Sequence, residues 1–197
     1  MTERRRQVLD AARRLFHQYG PHKTTVSDIA RAAGVGVGTI YLEFRNKDAI
    51  LLALSEAGHS RVLEATRAAW HGQGTSERRL RNALEARLDA FLELAESSMH
   101  GADLLHCGSC EPVQEAHRVF CETEHGLFAG FVAEGVSAGA FAAADPPATA
   151  RALLLAYRAF SPPALFLRHG TPEQRSQELR ADIQVVHDLV FPGLLSR

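Results

Sequence analysis

One twenty-residue stretch, HCGSCEPVQEAHRVFCETEH at positions 106–125, holds all three cysteines of the chain and three of its ten histidines. Cys107 and Cys110 have the C-x-x-C spacing that suits a thiolate-bound metal or a reversible disulfide. His117, Cys121 and His125 step by four and so share one face of a helix. Four residues rise about 6 Å and eight about 12 Å, so one ion cannot take all three. Cys107 and Cys110, folded over an adjacent pair (His117 with Cys121, or Cys121 with His125), would complete a four-ligand shell for zinc or another transition metal. Cys110 also precedes a Pro-marked helix start, where the helix N-terminus favours thiolate. Three readings stand side by side: a metal site, a thiol redox switch, and structural residues, since a buried cysteine packs as a small hydrophobe.

A second stretch, GVGVGTIYLEF at 34–44, poses a different choice. A phosphate-cradling glycine loop follows a strand and needs G-x-G-x-x-G, or G-K-[ST] in a P-loop. Here the spacing is G-x-G-x-G, with no strand before it and no lysine after Gly38. Turn chemistry accounts for the glycines instead. Gly34 sits just past a helix end, Gly36 at the next N-cap, and Gly38 in a first turn open to close approach. Ile40 and Phe44 then face inward, and Val37, Thr39, Tyr41 and Leu42 face out. Two short helices joined by a tight turn form a helix-turn-helix.

The elements that must position these residues are helical throughout. Val8, Ala12, Leu15, Phe16 and Tyr19 mark a first helix that Gly20-Pro21 stops. Thr25 and Asp28 form a capping box, and Asn46 caps a long helix running to about Trp70. Leu80, Leu84, Leu88 and Phe91 step at helical spacing; a looser stretch covers 97–109, and another helix runs from Pro112 to Glu134. Asp145-Pro146 starts a helix that Ser161-Pro162-Pro163 should kink or split, and Thr171 with Gln174 caps the last one, which Phe191-Pro192-Gly193 ends. The stripe Leu179, Ile183, Val186 and Val190, with Leu153, Leu154 and Tyr157 before it, predicts a four-helix interface between two copies, formed by 146–168 and 172–191.

Charge is uneven. Residues 1–50 carry nine Lys/Arg against five acids, net +4, while the whole chain is −1. A basic head points to an anionic partner for that segment alone. No apolar run approaches the roughly 20 residues of a membrane span, so the expectation is a cytoplasmic protein with no membrane partner. Neither a βαβ context for the C-x-x-C nor a G-x-S-x-G is present, which sets the enzyme reading aside.

At this point the stretch TTVSDIARAAGVGVGTIYLEFRNKDAIL, Thr24 to Leu51, resembles the DNA-binding signature of the TetR family of transcriptional regulators. The Thr-Thr pair, the A-x-x-A-G-V turn, the G-T-[IL]-Y-x-x-F run and the [NS]-K-[DE] that follows all coincide. The resemblance implies an all-α fold: a three-helix helix-turn-helix domain over 1–50 and a helical ligand-binding and dimerisation domain over 51–197. It implies a homodimer on double-stranded operator DNA, a repressor released by a small-molecule, metal or redox effector bound among the helices of 52–165. The alternative is a metal-binding or thiol redox protein built on Cys107, Cys110 and Cys121. Carried over position by position, Thr25 and Lys47 would contact phosphate and Tyr41 would pack on the DNA backbone. Gly36, Val37 and Thr39, with Leu42 exposed beside them, would meet base edges. Gly36-Val37 and Leu42-Glu43 replace donor-rich pairs common in the family, which implies reading through thymine methyls and DNA shape. Glu43 would turn from the phosphates toward Arg45 or Arg31.

Overall fold

The computed structural model describes residues 2–96, 110–167 and 170–195. Among them lie eight α-helices: α1 (Glu3–Lys23), α2 (Val26–Ala33), α3 (Val37–Glu43), α4 (Lys47–Trp70), α5 (Ser76–Glu96), α6 (Glu111–Ser137), α7 (Pro146–Ala156) and α8 (Pro172–Leu194). No strand occurs among the described residues, only an isolated bridge between Phe141 and Leu195. The all-α expectation holds, while the looser stretch 97–109, with Cys107 in it, lies outside the described residues.

Local signals set most helix ends. Helix α1 breaks at Gly20 (φ 78°) and runs on through one turn to Lys23. The Asp145 carboxylate accepts from the Ala148 N–H at 2.9 Å at the start of α7, and Thr171 and Gln174 close a full capping box on α8. Two expectations are corrected. The helix expected over 146–168 ends at Ala156 and continues as two 3₁₀ turns, Arg158–Phe160 and Ala164–Leu167. Pro162 and Pro163 have no N–H to continue an α-helix, so this element splits rather than kinks. The last helix passes through Pro192 to Leu194, where the Leu195 N–H closes the final turn on the Phe191 carbonyl at 3.0 Å.

The chain divides into two compact units, the described parts of 1–60 with 93–118, and of 61–92 with 119–197. Helix α4 passes the expected boundary at 50/51 without a break. The first unit packs Val8, Ala12 and Phe16 of α1, Ile29 and Ala30 of α2, Ile40 of α3, Phe44, and Ile50 and Leu51 of α4 into one apolar cluster. Cys110 and Val113, at the start of α6, belong to the same cluster.

In the second unit α5 buries Leu80, Leu84 and Leu88. Trp70 stacks on Phe131 with centroids 4.6 Å apart, and its indole N–H donates to Glu134 at 2.8 Å. The Arg87 guanidinium donates to both oxygens of the buried Glu124, at 2.7 and 3.1 Å, and to the Ser161 hydroxyl at 3.0 Å. A buried ion pair is tolerated when its remaining polar atoms are satisfied in this way. Gly135 lets the Phe141 ring approach so closely that a Cβ would fall 2.0 Å from it.

The apolar stripe of α8 differs from the expectation. Leu179 and Ile183, together with Leu153 and Tyr157, are buried within this one chain, while Leu154, Val186 and Val190 are half-buried. The large apolar side chains left exposed on these helices are Leu155 (60 %), Val185 (59 %) and Leu189 (76 %).

Candidate nucleic-acid interface

The site is built from the turns between α1 and α4. The buried Thr24 hydroxyl donates to the Gly20 carbonyl at 2.8 Å and fixes the chain where α1 breaks. The next residue, Thr25, caps α2. Its hydroxyl accepts from the Asp28 N–H at 3.2 Å and donates to the Asp28 carboxylate at 2.6 Å, while its own N–H donates back at 3.1 Å. These hydrogen bonds from Thr25 hold the Asp28 carboxyl below its ordinary range. Arg31 completes the cluster through an ion pair with Asp28. The N-terminus of α2 thus presents a satisfied cap with its helix dipole pointing outward, a geometry suited to a phosphate.

Helix α2 stops at Gly34, whose left-handed backbone (φ 67°, ψ 29°) only glycine adopts without strain. Gly36 follows as an extended N-cap with no side chain to bond. Helix α3 turns Ile40 inward, and Phe44 just past its end is buried too. Val37 (39 % exposed), Tyr41 (54 %) and Leu42 (84 %) face solvent, and Thr39 is half-buried. The exposed methyl groups of Leu42 and Val37 have the chemistry for contact with thymine methyls.

Two contacts were not visible in the sequence. Lys47 donates its ammonium to the Pro21 carbonyl at 2.6 Å and the Thr24 carbonyl at 3.0 Å, so it ties α4 to the turn between α1 and α2. Glu43 turns neither to Arg45 nor to Arg31. Its carboxylate accepts from the Thr2 hydroxyl at 3.1 Å, and its carbonyl from Arg5 at 3.0 Å. The Arg5 guanidinium also lies 4.1 Å over the Phe44 ring. The first turn of α1 reaches 38 residues along the chain to grip the end of α3, and nothing local in either segment signals that pairing. Between α1 and α2 a groove of about 430 Å³ is lined by Leu15, Tyr19, Lys23, Thr24, Asp28 and Arg31.

The Cys/His stretch is not assembled into one site by the described residues. Cys110 is buried in the apolar cluster of the first unit, and its carbonyl accepts the N–H groups of Val113 and Gln114 as α6 starts. Cys121 is exposed in the second unit, and partial burial of its sulfur, with the Glu124 charge, pushes its thiol up rather than toward thiolate. His125 Nε2 lies 2.8 Å from the Pro147 carbonyl. His117 Nδ1 faces His59 Nε2 at 3.5 Å. Among the described residues no three His, Cys, Asp or Glu side chains gather to hold a metal.

A capped α2, a glycine turn, a short α3 with an exposed outer face and a cationic surround define a helix-turn-helix protein. Residues 8–54 match the family model "Bacterial regulatory proteins, tetR family", and residues 76–180 match "Tetracyclin repressor-like, C-terminal domain". The chain belongs to the TetR family of bacterial regulators, and is therefore a regulator by family rather than an enzyme. It is 44% identical over 62 residues to the HTH-type transcriptional repressor Rv1474c of Mycobacterium tuberculosis, covering 32% of this chain and 33% of that one. It is 34% identical over 109 residues to the HTH-type transcriptional regulator BetI of Escherichia coli, covering 49% and 56%. The chain thus spans between a third and somewhat over half the length of these relatives. Its fold is shared by FadR of Bacillus subtilis, solved in complex with stearoyl-CoA (TM-score 0.73, 20% identity, 95% and 98% coverage). The SmeT–triclosan complex is similar too (TM-score 0.76, 20% identity, 99% and 93% coverage).

Proposed function

We propose that this chain is a homodimeric transcriptional repressor that binds a pseudo-palindromic operator and leaves it when an effector binds. The observation that carries the reading is the outer face of α3, where Val37, Tyr41 and Leu42 stand exposed on a helix whose inner face is buried. The name of the relative aligned over 62 residues, a transcriptional repressor, supports the direction of control. Thr25 and the N-terminus of α2 hold a backbone phosphate. Gly36, Val37, Thr39 and Leu42 face the major groove, and Tyr41 packs on the sugar-phosphate backbone. Lys47 sets the angle at which α4 leaves the head and adds positive charge there.

Dimerisation uses the apolar side chains that one chain leaves uncovered, Leu155 on α7 and Val185 and Leu189 on α8. The two-fold axis then spaces two heads on two half-sites, about one helical turn or slightly more apart. The effector binds among the helices of residues 52–165. No helix among the described residues is long and apolar enough to cross a membrane, which fits a cytoplasmic regulator.

Selection from a random duplex pool tests the reading. Enrichment of a two-fold symmetric sequence, bound by two chains, supports it. Enrichment of nothing beyond the starting pool overturns it.

A further inference from the structure

We propose that His59 and His117 form a binding site for a borderline divalent transition ion such as Zn²⁺, Co²⁺ or Ni²⁺. Both residues belong to the first unit, His59 on α4 and His117 on α6. His59 is buried at 5 % exposure, and His117 is half-buried. Nε2 of His59 and Nδ1 of His117 face each other at 3.5 Å, with ring centroids 5.5 Å apart and planes inclined by 42°.

The separation is the informative quantity. At 3.5 Å the two rings make at most a long hydrogen bond, and the same spacing leaves room for an ion between them. With metal–nitrogen bonds of about 2.0–2.1 Å, nitrogens 3.5 Å apart subtend roughly 113–122° at the metal, close to a tetrahedral angle. The same placement, with each ring pointing its lone pair at the ion, sets the centroids about 5.4 Å apart, against the 5.5 Å found.

Imidazole nitrogen selects zinc, cobalt, nickel or copper over magnesium and calcium, which prefer oxygen. The site uses His117 of the Cys/His stretch but none of its cysteines. Two imidazoles are fewer ligands than the four of a structural zinc, so the site is an exchangeable one. The ion would join α4 to α6 two turns beyond Cys110, which packs in the apolar cluster of the first unit. Binding to the folded chain alone stabilises it by mass action.

The test uses the full chain, cobalt titration and thermal unfolding. The expected result is one Co²⁺ per chain with ligand-field bands and no sulfur-to-cobalt charge transfer, and a Tm raised by Zn²⁺ but not by Mg²⁺. His117→Ala, at a half-buried position, should weaken Co²⁺ binding at least about tenfold while leaving the metal-free Tm nearly unchanged. His59→Asn should do the same to binding from the other side, and Cys107→Ser, Cys110→Ser and Cys121→Ser should leave it intact. The proposal is overturned by absence of saturable binding or by undiminished binding in His117→Ala. A sulfur charge-transfer band that disappears in a cysteine variant overturns it as well, because the ion then sits on thiolate.

Discussion

The ammonium of Lys47 donates to the carbonyl oxygen of Pro21 at 2.6 Å, across 26 residues of chain. With the second bond to Thr24, this makes Lys47 a tie between α4 and the α1–α2 turn as well as a positive charge near the DNA-facing surface. Lys47→Ala should therefore do two things. It should cost about 1–3 kcal/mol of stability, because charge-assisted bonds to carbonyls are lost. It should also weaken binding to every duplex by a similar factor, because the charge carries no sequence information. Thermal unfolding and competition binding on two unrelated duplexes measure both; a change in the ratio between the duplexes would contradict this role.

Val37 should act differently. It is exposed on α3, and its methyl groups suit a thymine methyl. Val37→Ser should leave the unfolding free energy within about 0.5 kcal/mol of wild type, as exposed substitutions do. It should change the preferred base at one position in each half-site, by about 1–3 kcal/mol of discrimination. Selection profiles of the two proteins compare this directly.

The dimer face separates from the core stripe. Val185 and Leu189 are exposed one turn apart on α8, whereas Ile183 is 1 % exposed. The double variant Val185→Glu, Leu189→Glu should keep its helical circular dichroism and run as a monomer by light scattering. Ile183→Glu should instead lower the Tm sharply, since it buries an unpaired charge. A dimer that survives the double substitution would move the interface elsewhere.

The parts of the fold legible in the sequence are those set by bonds three or four residues long. The Thr25–Asp28 and Thr171–Gln174 boxes, the Asp145 and Asn46 caps and the Gly34 stop are all of this kind. The inward set of α3 was legible too, because one short helix has one apolar face. The rest depends on docking between distant segments. His59 lies 58 residues from His117, Glu43 is 38 from Arg5, and Arg87 is 37 from Glu124, and no periodicity reports such pairings. The stripe of α8 shows why pattern alone misleads: it says which face is apolar, not whether the same chain or a second copy covers it.

Acid should weaken the second unit through His187. This side chain is fully buried, with Nδ1 2.6 Å from the Tyr157 hydroxyl and Nε2 3.4 Å from Glu85. The Tyr157 hydroxyl, which burial keeps protonated, donates to Nδ1, so the neutral ring carries its proton on Nε2, which has no hydrogen-bond partner among the described residues. Burial lowers the His187 pKa; Arg81 lowers it further, and Glu85 and Asp188 oppose. The unfolded chain, with an ordinary histidine near 6.5, then binds a proton that the folded chain refuses. Stability should be fully present above about pH 6.5 and fall as the pH drops below it. His187→Gln should lower the Tm at neutral pH and flatten that acid limb; an unchanged acid limb would assign the effect to other groups.

Operator binding against salt tests the central claim most directly. The selected duplex, titrated with the intact dimer by fluorescence anisotropy, should show log Kd rising linearly with log salt concentration, with a slope near 0.9 for each phosphate neutralised. Lys47→Ala should lower that slope by about one for each head that contacts a phosphate through this lysine. A chain that ignores duplex DNA at low salt, or binds it with no dependence on salt, would contradict the account.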